Sequence, residues 1–146
     1  ICGTVEENIL LGRPRDDAKL QCAITSAQLA HDLQILDGGL EAEIGERGVS
    51  LSGGQKQRIS LARTVYGITP EMLLVLDDPV AAVDPKVGRL LLQSIVLAHK
   101  RRGGTVVVAL NQREHLHHFD RVLEIVEGVV TAVPPPPKPT AEGASR

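Results

Sequence analysis

Apolar residues along the chain follow two kinds of pattern. The stretches 72–76 (MLLVL) and 105–110 (TVVVAL) are short continuous apolar runs. Runs of this length, rich in Val and Leu, predict strands buried on both faces of a parallel sheet. The first run ends in Asp77, Asp78 and Pro79, which sets two carboxylates at the tip of its strand. Elsewhere the spacing is helical. Ala18, Leu20, Cys22, Ala23, Ile24, Ala27 and Ala30 follow it from Asp16 and Asp17, whose charge suits a helix start, as far as His31. A second short helical piece covers 32–36 before Gly38 and Gly39. Ser52 opens a helix running to about Tyr66, with Ile59, Ala62 and Val65 on one face. Asp84 followed by Pro85 is a strong helix start, and that helix runs to about Arg102, where Gly103 and Gly104 stop it. Lys100, Arg101 and Arg102 fall in its last turn and complement the helix dipole, as a solvated helix end does.

The remaining segments are shorter or irregular. Residues 5–12 mix acids with apolar positions until Pro14 interrupts, and 41–54, rich in Gly and polar groups, predict an extended loop. A short helix is expected over 113–118. The runs 122–126 and 129–133, joined at Glu127-Gly128, predict a hairpin. Strand, helix and strand in alternation give an α/β layered domain. From Pro134 there are four consecutive prolines, then Lys138-Pro139, so 134–146 is expected to be a Pro-rich, disordered tail or linker beyond a domain covering 1–133.

Composition narrows this reading. Tyr66 and Phe119 are the only aromatic side chains among 146 residues, so the core must be aliphatic. With a formal charge of -2, nothing suggests a general nucleic-acid binder. No stretch reaches the roughly 18 apolar residues that span a bilayer, and the first residues lack the pattern of a signal peptide. Cys2 and Cys22 fit neither a disulfide framework nor zinc-ligand spacing, and are expected to be reduced thiols packed as small hydrophobes in a cytosolic setting. His115, His117 and His118 are expected to face solvent near the start of a surface helix, because no carboxylate stands at ligand spacing to make a metal site. His31 and His99 lie on predicted helices and carry no signal.

The strongest chemical signal is Leu51-Ser52-Gly53-Gly54-Gln55-Lys56-Gln57-Arg58. A helix beginning at Ser52 presents backbone N–H groups and the positive end of its dipole. Two glycines let an anion approach that backbone closely, which makes a phosphate-binding helix N-terminus. Ser52-x-x-Gln55 is equally the sequence of a capping box that needs no ligand.

The wider context resembles a known family. LSGGQ-x-QR followed by Ile59-Ser60-Leu61-Ala62-Arg63 resembles the signature motif of ABC-type ATPases. Downstream, MLLVLDDP resembles that family's Walker B strand and Ala81-Ala82-Val83-Asp84 its D-loop. Upstream, Glu46-Arg47-Gly48 matches the loop that ABC exporters carry before the signature, and the opening GTVEENILLG resembles the segment after their Q-loop. The likeness extends over residues 1 to about 133 in family order. ENILLG, GERG and LDDP together most resemble the first nucleotide-binding domain of the multidrug-resistance-associated (C) subfamily.

The resemblance implies a RecA-like P-loop NTPase core with the ABC helical subdomain. It also implies that two nucleotide-binding domains enclose two ATP molecules head to tail. Ser52, Gly53, Gly54 and Gln55 would then contact the γ-phosphate of ATP held by a partner domain. Asp77 would bind Mg²⁺ through water, Asp84 would belong to the D-loop, and Glu46-Arg47-Gly48 would lie near the coupling helices of membrane domains. The parent would be an ATPase that drives export of a substrate across a membrane. Its partners would be a second nucleotide-binding domain and transmembrane domains, with this domain on the cytosolic face and no nucleic acid involved.

Several positions depart from the family pattern. No G-x-x-x-x-G-K-[ST] occurs in the chain, and the Q-loop Gln would fall just before Ile1, so the core is expected to be incomplete and N-terminally truncated. Asp78 stands where the family has a Glu that polarises the attacking water. Asn111 stands at the switch His position and cannot take up a proton. The half-site served by Asp77, Asp78 and Asn111 is therefore expected to be degenerate, while the signature is intact. The alternative is a catalytically inactive truncated fragment or interaction module. A soluble ABC ATPase of DNA repair or translation is disfavoured by GERG and ENILLG.

Overall fold

The computed structural model describes residues 2–45 and 48–137. Contacts divide the chain into two compact units between Leu110 and Asn111. Both helices and strands are present, as an α/β fold requires.

The first unit begins with a strand of two residues, β1 (Gly3–Thr4), and helix α1 (Val5–Leu10). Thr4 closes a capping box at the start of α1. Its Oγ1 accepts from the Glu7 N–H at 3.1 Å, and the Glu7 carboxylate accepts from the Thr4 N–H at 2.8 Å. Helix α2 (Asp17–Ser26) is capped by Asp16, whose Oδ1 accepts from the Lys19 N–H at 3.0 Å.

The expected run of helix to His31 breaks here. Gln28 takes a left-handed φ of 55°, the Leu29 N–H donates to the Ile24 carbonyl at 3.0 Å, and the Gln28 N–H donates to the Thr25 carbonyl at 3.1 Å. These two bonds are the Schellman ending of a helix. Its hydrophobic contact positions are the buried Ile24 and the fully buried Leu29. Helix α3 (Ala30–Ile35) then starts afresh. The loop that follows holds a single 3₁₀ turn (Gly39–Glu41) and β2 (Glu43–Ile44), which pairs antiparallel with β1. Glu46 and Arg47 lie outside the described residues.

Helix α4 (Gly53–Gly67) is the axis on which α1 and α2 pack. Val5 and Ile9 of α1, Leu20, Ala23 and Ile24 of α2, and Ile59, Ala62 and Tyr66 of α4 belong to one buried cluster. Tyr66 also pins the chain between the first two helices, donating its hydroxyl to the Pro14 carbonyl and accepting from the Asp16 N–H at 2.9 Å. The Arg63 guanidinium reaches α1 as well, donating to the Asn8 carbonyl at 2.7 Å.

Strand β3 (Leu73–Asp77) pairs in parallel with β4 (Thr105–Ala109), in register from Leu73 opposite Thr105 to Asp77 opposite Ala109. The connection is helical: α5 (Pro85–Leu91), a π-helical segment (Leu92–Leu97) and α6 (Ala98–Arg101). Leu74, Leu91, Leu92, Ile95 and Val96 are all buried. The other face of the strand pair is bare: Leu73 is 57% exposed, Val75 63% and Val107 54%. The expectation of strands buried on both faces is thus corrected. An apolar run reports a tendency to be covered, and among the described residues this sheet has two strands with one face open.

His99 lies on a helix, as expected, and has a structural task there. It is buried, and its Nε2 lies 2.9 Å from the Met72 carbonyl, so it ties α6 to the start of β3. A Cβ on Gly104 would stand 2.1 Å from that same ring nitrogen, which fixes Gly at this position. Both thiols are free and exposed, so the cysteines are not packed as small hydrophobes: Cys22 lies on the outer face of α2 and Cys2 just before β1. Among the described residues no helix is long and apolar enough to cross a membrane.

The second unit starts at Asn111 and holds a 3₁₀ helix (Arg113–His118) and the hairpin β5 (Val122–Val126) and β6 (Val129–Val133). Glu127 and Gly128 turn the hairpin with φ of 49° and 81°, as a two-residue type I′ turn requires. Of the three histidines expected to face solvent, His115 is buried and its ring stacks on His118, because the short helix turns it inward. Residues 138–146, most of the expected tail, lie outside the described residues.

Candidate functional site

The first turn of α4 is a capping box. The Ser52 Oγ accepts from the Gln55 N–H at 3.2 Å, and the Gln55 Oε1 accepts from the Ser52 N–H at 2.9 Å. A helix leaves its first four N–H groups without intrahelical partners. The box satisfies those of Ser52 and Gln55, and the Lys56 N–H makes the first intrahelical bond, to the Ser52 carbonyl at 3.0 Å. The amides of Gly53 and Gly54 remain at the positive end of a helix of 15 residues. Two adjacent amide donors on residues without a side chain suit an anion.

The two glycines differ in surroundings. A Cβ on Gly53 would meet nothing within 4 Å, whereas one on Gly54 would lie 3.0 Å from the Ala82 carbonyl oxygen. The helix start is therefore open at Gly53 and tightly seated at Gly54 on the loop that follows β3. Gln57 holds the same loop one turn further along, its Nε2 donating to the Asp78 carbonyl at 3.1 Å. On the other flank, Arg58 makes two short bonds to Asp32 of α3, at 2.6 and 2.8 Å, with side chains only 17% and 9% exposed. The signature turn is thus clamped from both sides by side chains of its own helix.

Asp77 and Asp78 stand at the C-terminal end of β3, the end at which α/β sheets bind ligands. Asp77 is exposed. Its carboxylate is a hard oxygen donor, of the kind that suits a divalent cation keeping several of its waters. Asp78 has a left-handed φ of 39°, a conformation that Asp tolerates better than most side chains. Its N–H donates to the Ala109 carbonyl at 2.9 Å, and its carbonyl accepts from Ala81 at 3.2 Å as well as from Gln57. Asp84 caps α5, its Oδ1 accepting from the Lys86 and Val87 N–H groups at 3.0 and 3.1 Å.

The first unit thus brings Ser52, Gly53, Gly54 and Gln55 together with the loop carrying Asp78 and Ala82. Asn111 is exposed and opens the second unit. Sequence reasoning missed the contact of Gln57 with Asp78, that of Asp32 with Arg58, and the Thr4–Glu7 box. Thr4-x-x-Glu7 was legible as a capping signal; the other two are long-range contacts that spacing does not encode.

Comparisons with known proteins agree with the motifs. Residues 3–81 match the family model described as ABC transporter. A protein named probable multidrug resistance-associated protein lethal(2)03659 of Drosophila melanogaster is 40% identical over 90% of this chain. ATP-binding cassette sub-family C member 3 of Rattus norvegicus is 38% identical over 88%. The probable multidrug resistance ABC transporter ATP-binding/permease protein YheI of Bacillus subtilis is 41% identical over 87%. The chain spans 9% of the length of the first, 8% of the second and 21% of the third. Relatives named as sub-family C and multidrug resistance-associated proteins, and a family match over more than half of its residues, show that this chain belongs to the ABC transporter family.

Proposed function

We propose that the chain is part of an exporter's nucleotide-binding domain, of the kind found first in C-subfamily transporters. In this reading residues 1–133 belong to that domain, with a RecA-like core and helical subdomain, and 134–146 form a linker. The first turn of α4 supplies half of an ATP site completed by a second nucleotide-binding domain. The observation that carries this is the pair of amides at Gly53 and Gly54, which the capping box does not use, with open space at Gly53.

Gly53 and Gly54 bind the terminal phosphate of ATP through backbone N–H groups, aided by the helix dipole. When bound, Mg²⁺ would neutralise phosphate charge, with Asp77 holding it through water. Asp78 occupies the position of the group that orients the attacking water. It is shorter than Glu by one methylene, and a general base acts only within hydrogen-bond reach of its proton. Asn111 at the switch position cannot become a cation. The site on this domain therefore turns over slowly, and the site to which Ser52–Gln55 contribute carries the flux. ATP binding and release drive export through transmembrane domains of the same transporter, and the domain faces the cytosol.

Gly53→Asp separates this reading from a helix start that is merely capped. Space for the side chain is open, and an acid in the first turn stabilises a helix by about 0.3–1 kcal/mol. The variant chain should be at least as stable as the parent. In membranes carrying a full-length transporter with this domain, ATP turnover should fall at least tenfold, because the carboxylate repels phosphate. Undiminished turnover would refute the proposal.

A further inference from the structure

Gln57 belongs to none of the motifs' expected contacts, yet it joins two of them. It lies on α4 one turn beyond the signature glycines, and its Nε2 donates to the Asp78 carbonyl at 3.1 Å, 21 residues away in sequence. That carbonyl also closes the turn to Ala81, and the Asp78 N–H is anchored on Ala109 of β4. A Cβ on Gly54 would lie 3.0 Å from the Ala82 carbonyl oxygen, at the far end of the same loop. The Oε1 of Gln57 is buried with no hydrogen-bond partner among the described residues. An aliphatic side chain of this size would fill the same space without an unmet acceptor, so the feature that distinguishes Gln here is its N–H donor. The residue that receives the bond sits at positive φ, where a non-glycine backbone needs external support.

We propose that Gln57 is a positioning residue: its amide fixes the loop 78–82 to the first turn of α4, so that occupancy of the Gly53 and Gly54 amides is felt at Asp78. This rests on the reading of that turn as a phosphate site. It makes the half-site offered to a partner and the half-site of this domain one mechanical body. The hydrogen-bonded part of that link runs through a single side chain.

The test uses the full 146-residue chain and two substitutions. Gln57→Met keeps length and removes the donor; Gln57→Lys restores an N–H donor. Without ligand, hydrogen exchange at Asp78 and Ala81 should accelerate roughly tenfold in Gln57→Met, the scale of one hydrogen bond, and return towards the parent rate in Gln57→Lys. Equal acceleration at remote core amides such as Leu20 and Ile24 would show an ordinary structural role and overturn the proposal, as would unchanged exchange at Ala81. With inorganic phosphate as the probe, amide signals of Gly53, Gly54 and Ala81 should all move in the parent. In Gln57→Met the glycines should still respond and Ala81 should not. A full Ala81 response in Gln57→Met overturns the coupling alone. No response at the glycines in any variant overturns the phosphate reading and the coupling with it.

Discussion

Ser52 and Asp78 carry different burdens. Ser52 caps α4 and stands beside the open amides, so Ser52→Arg removes a cap worth about 1 kcal/mol and fills the space a phosphate needs. In the proposed reading Asp78 serves the half-site that lacks both Glu and His. In a full-length transporter, Ser52→Arg should therefore damage ATP turnover and export more than Asp78→Asn. Turnover abolished by Asp78→Asn and spared by Ser52→Arg would mean that the competent site has been assigned to the wrong half. Arg58 and Asp32 form a short, largely buried pair. Removing one partner should cost about 3 kcal/mol by urea denaturation, whereas Arg58→Met with Asp32→Leu should cost much less than the sum of the two single changes. The pattern of single residues was partly legible: Ser52 and Asp84 announce themselves as caps because capping acts over three residues. Gln57 and Asp32 do not, because their partners are brought up only by folding.

Elements were most legible where punctuation marks their ends. Helix α4 begins where Ser52 and two glycines place it and ends at Gly67, within a residue of the expected limit. The break between α2 and α3 was expected after His31 and falls earlier, at 27–29, since Gln is not a residue that signals positive φ. Its left-handed backbone should make the site intolerant of branching. Gln28→Val should lose about 1–2 kcal/mol in thermal denaturation, while Gln28→Gly should lose little, because relief of φ strain offsets the lost bond from its side chain to the Thr25 carbonyl. The pairing of β1 with β2 spans two residues on each side, too few for any periodicity to show.

At the scale of the whole molecule, the bare sheet face of the first unit is a surface open to association. Leu73, Val75 and Val107 form an exposed apolar surface on strands whose edges are also unpaired among the described residues, a combination that invites association. Leu73→Thr with Val75→Thr puts β-branched residues at both positions of the strand and should reduce light scattering on warming without loss of helicity. Leu74→Thr, on the buried face, should unfold the unit instead. The chain contains no phosphate loop sequence, and backbone donors and a Lys of that loop supply most triphosphate contacts in such sites. The 146-residue chain should thus show only weak binding of Mg-ATP by calorimetry and no turnover. The parallel order of β3 and β4 was legible from two apolar runs and a helix between them. Which of their faces is covered was not, because cover depends on what packs there and the run itself is apolar on both sides.

The π-helical segment Leu92–Leu97 has a consequence for chain length. Hydrogen bonds from i to i+5 enclose one residue more than an α-helical turn does. A deletion inside an ordinary helix rotates everything beyond it by about 100° and throws buried side chains to the outside. Here the deletion of Gln93, an exposed residue within the wide turn, converts that turn to an α-turn and leaves Ile95, Val96 and His99 facing the strands. This helix should therefore tolerate a shortening by one residue at Gln93 that it would not tolerate at Arg89.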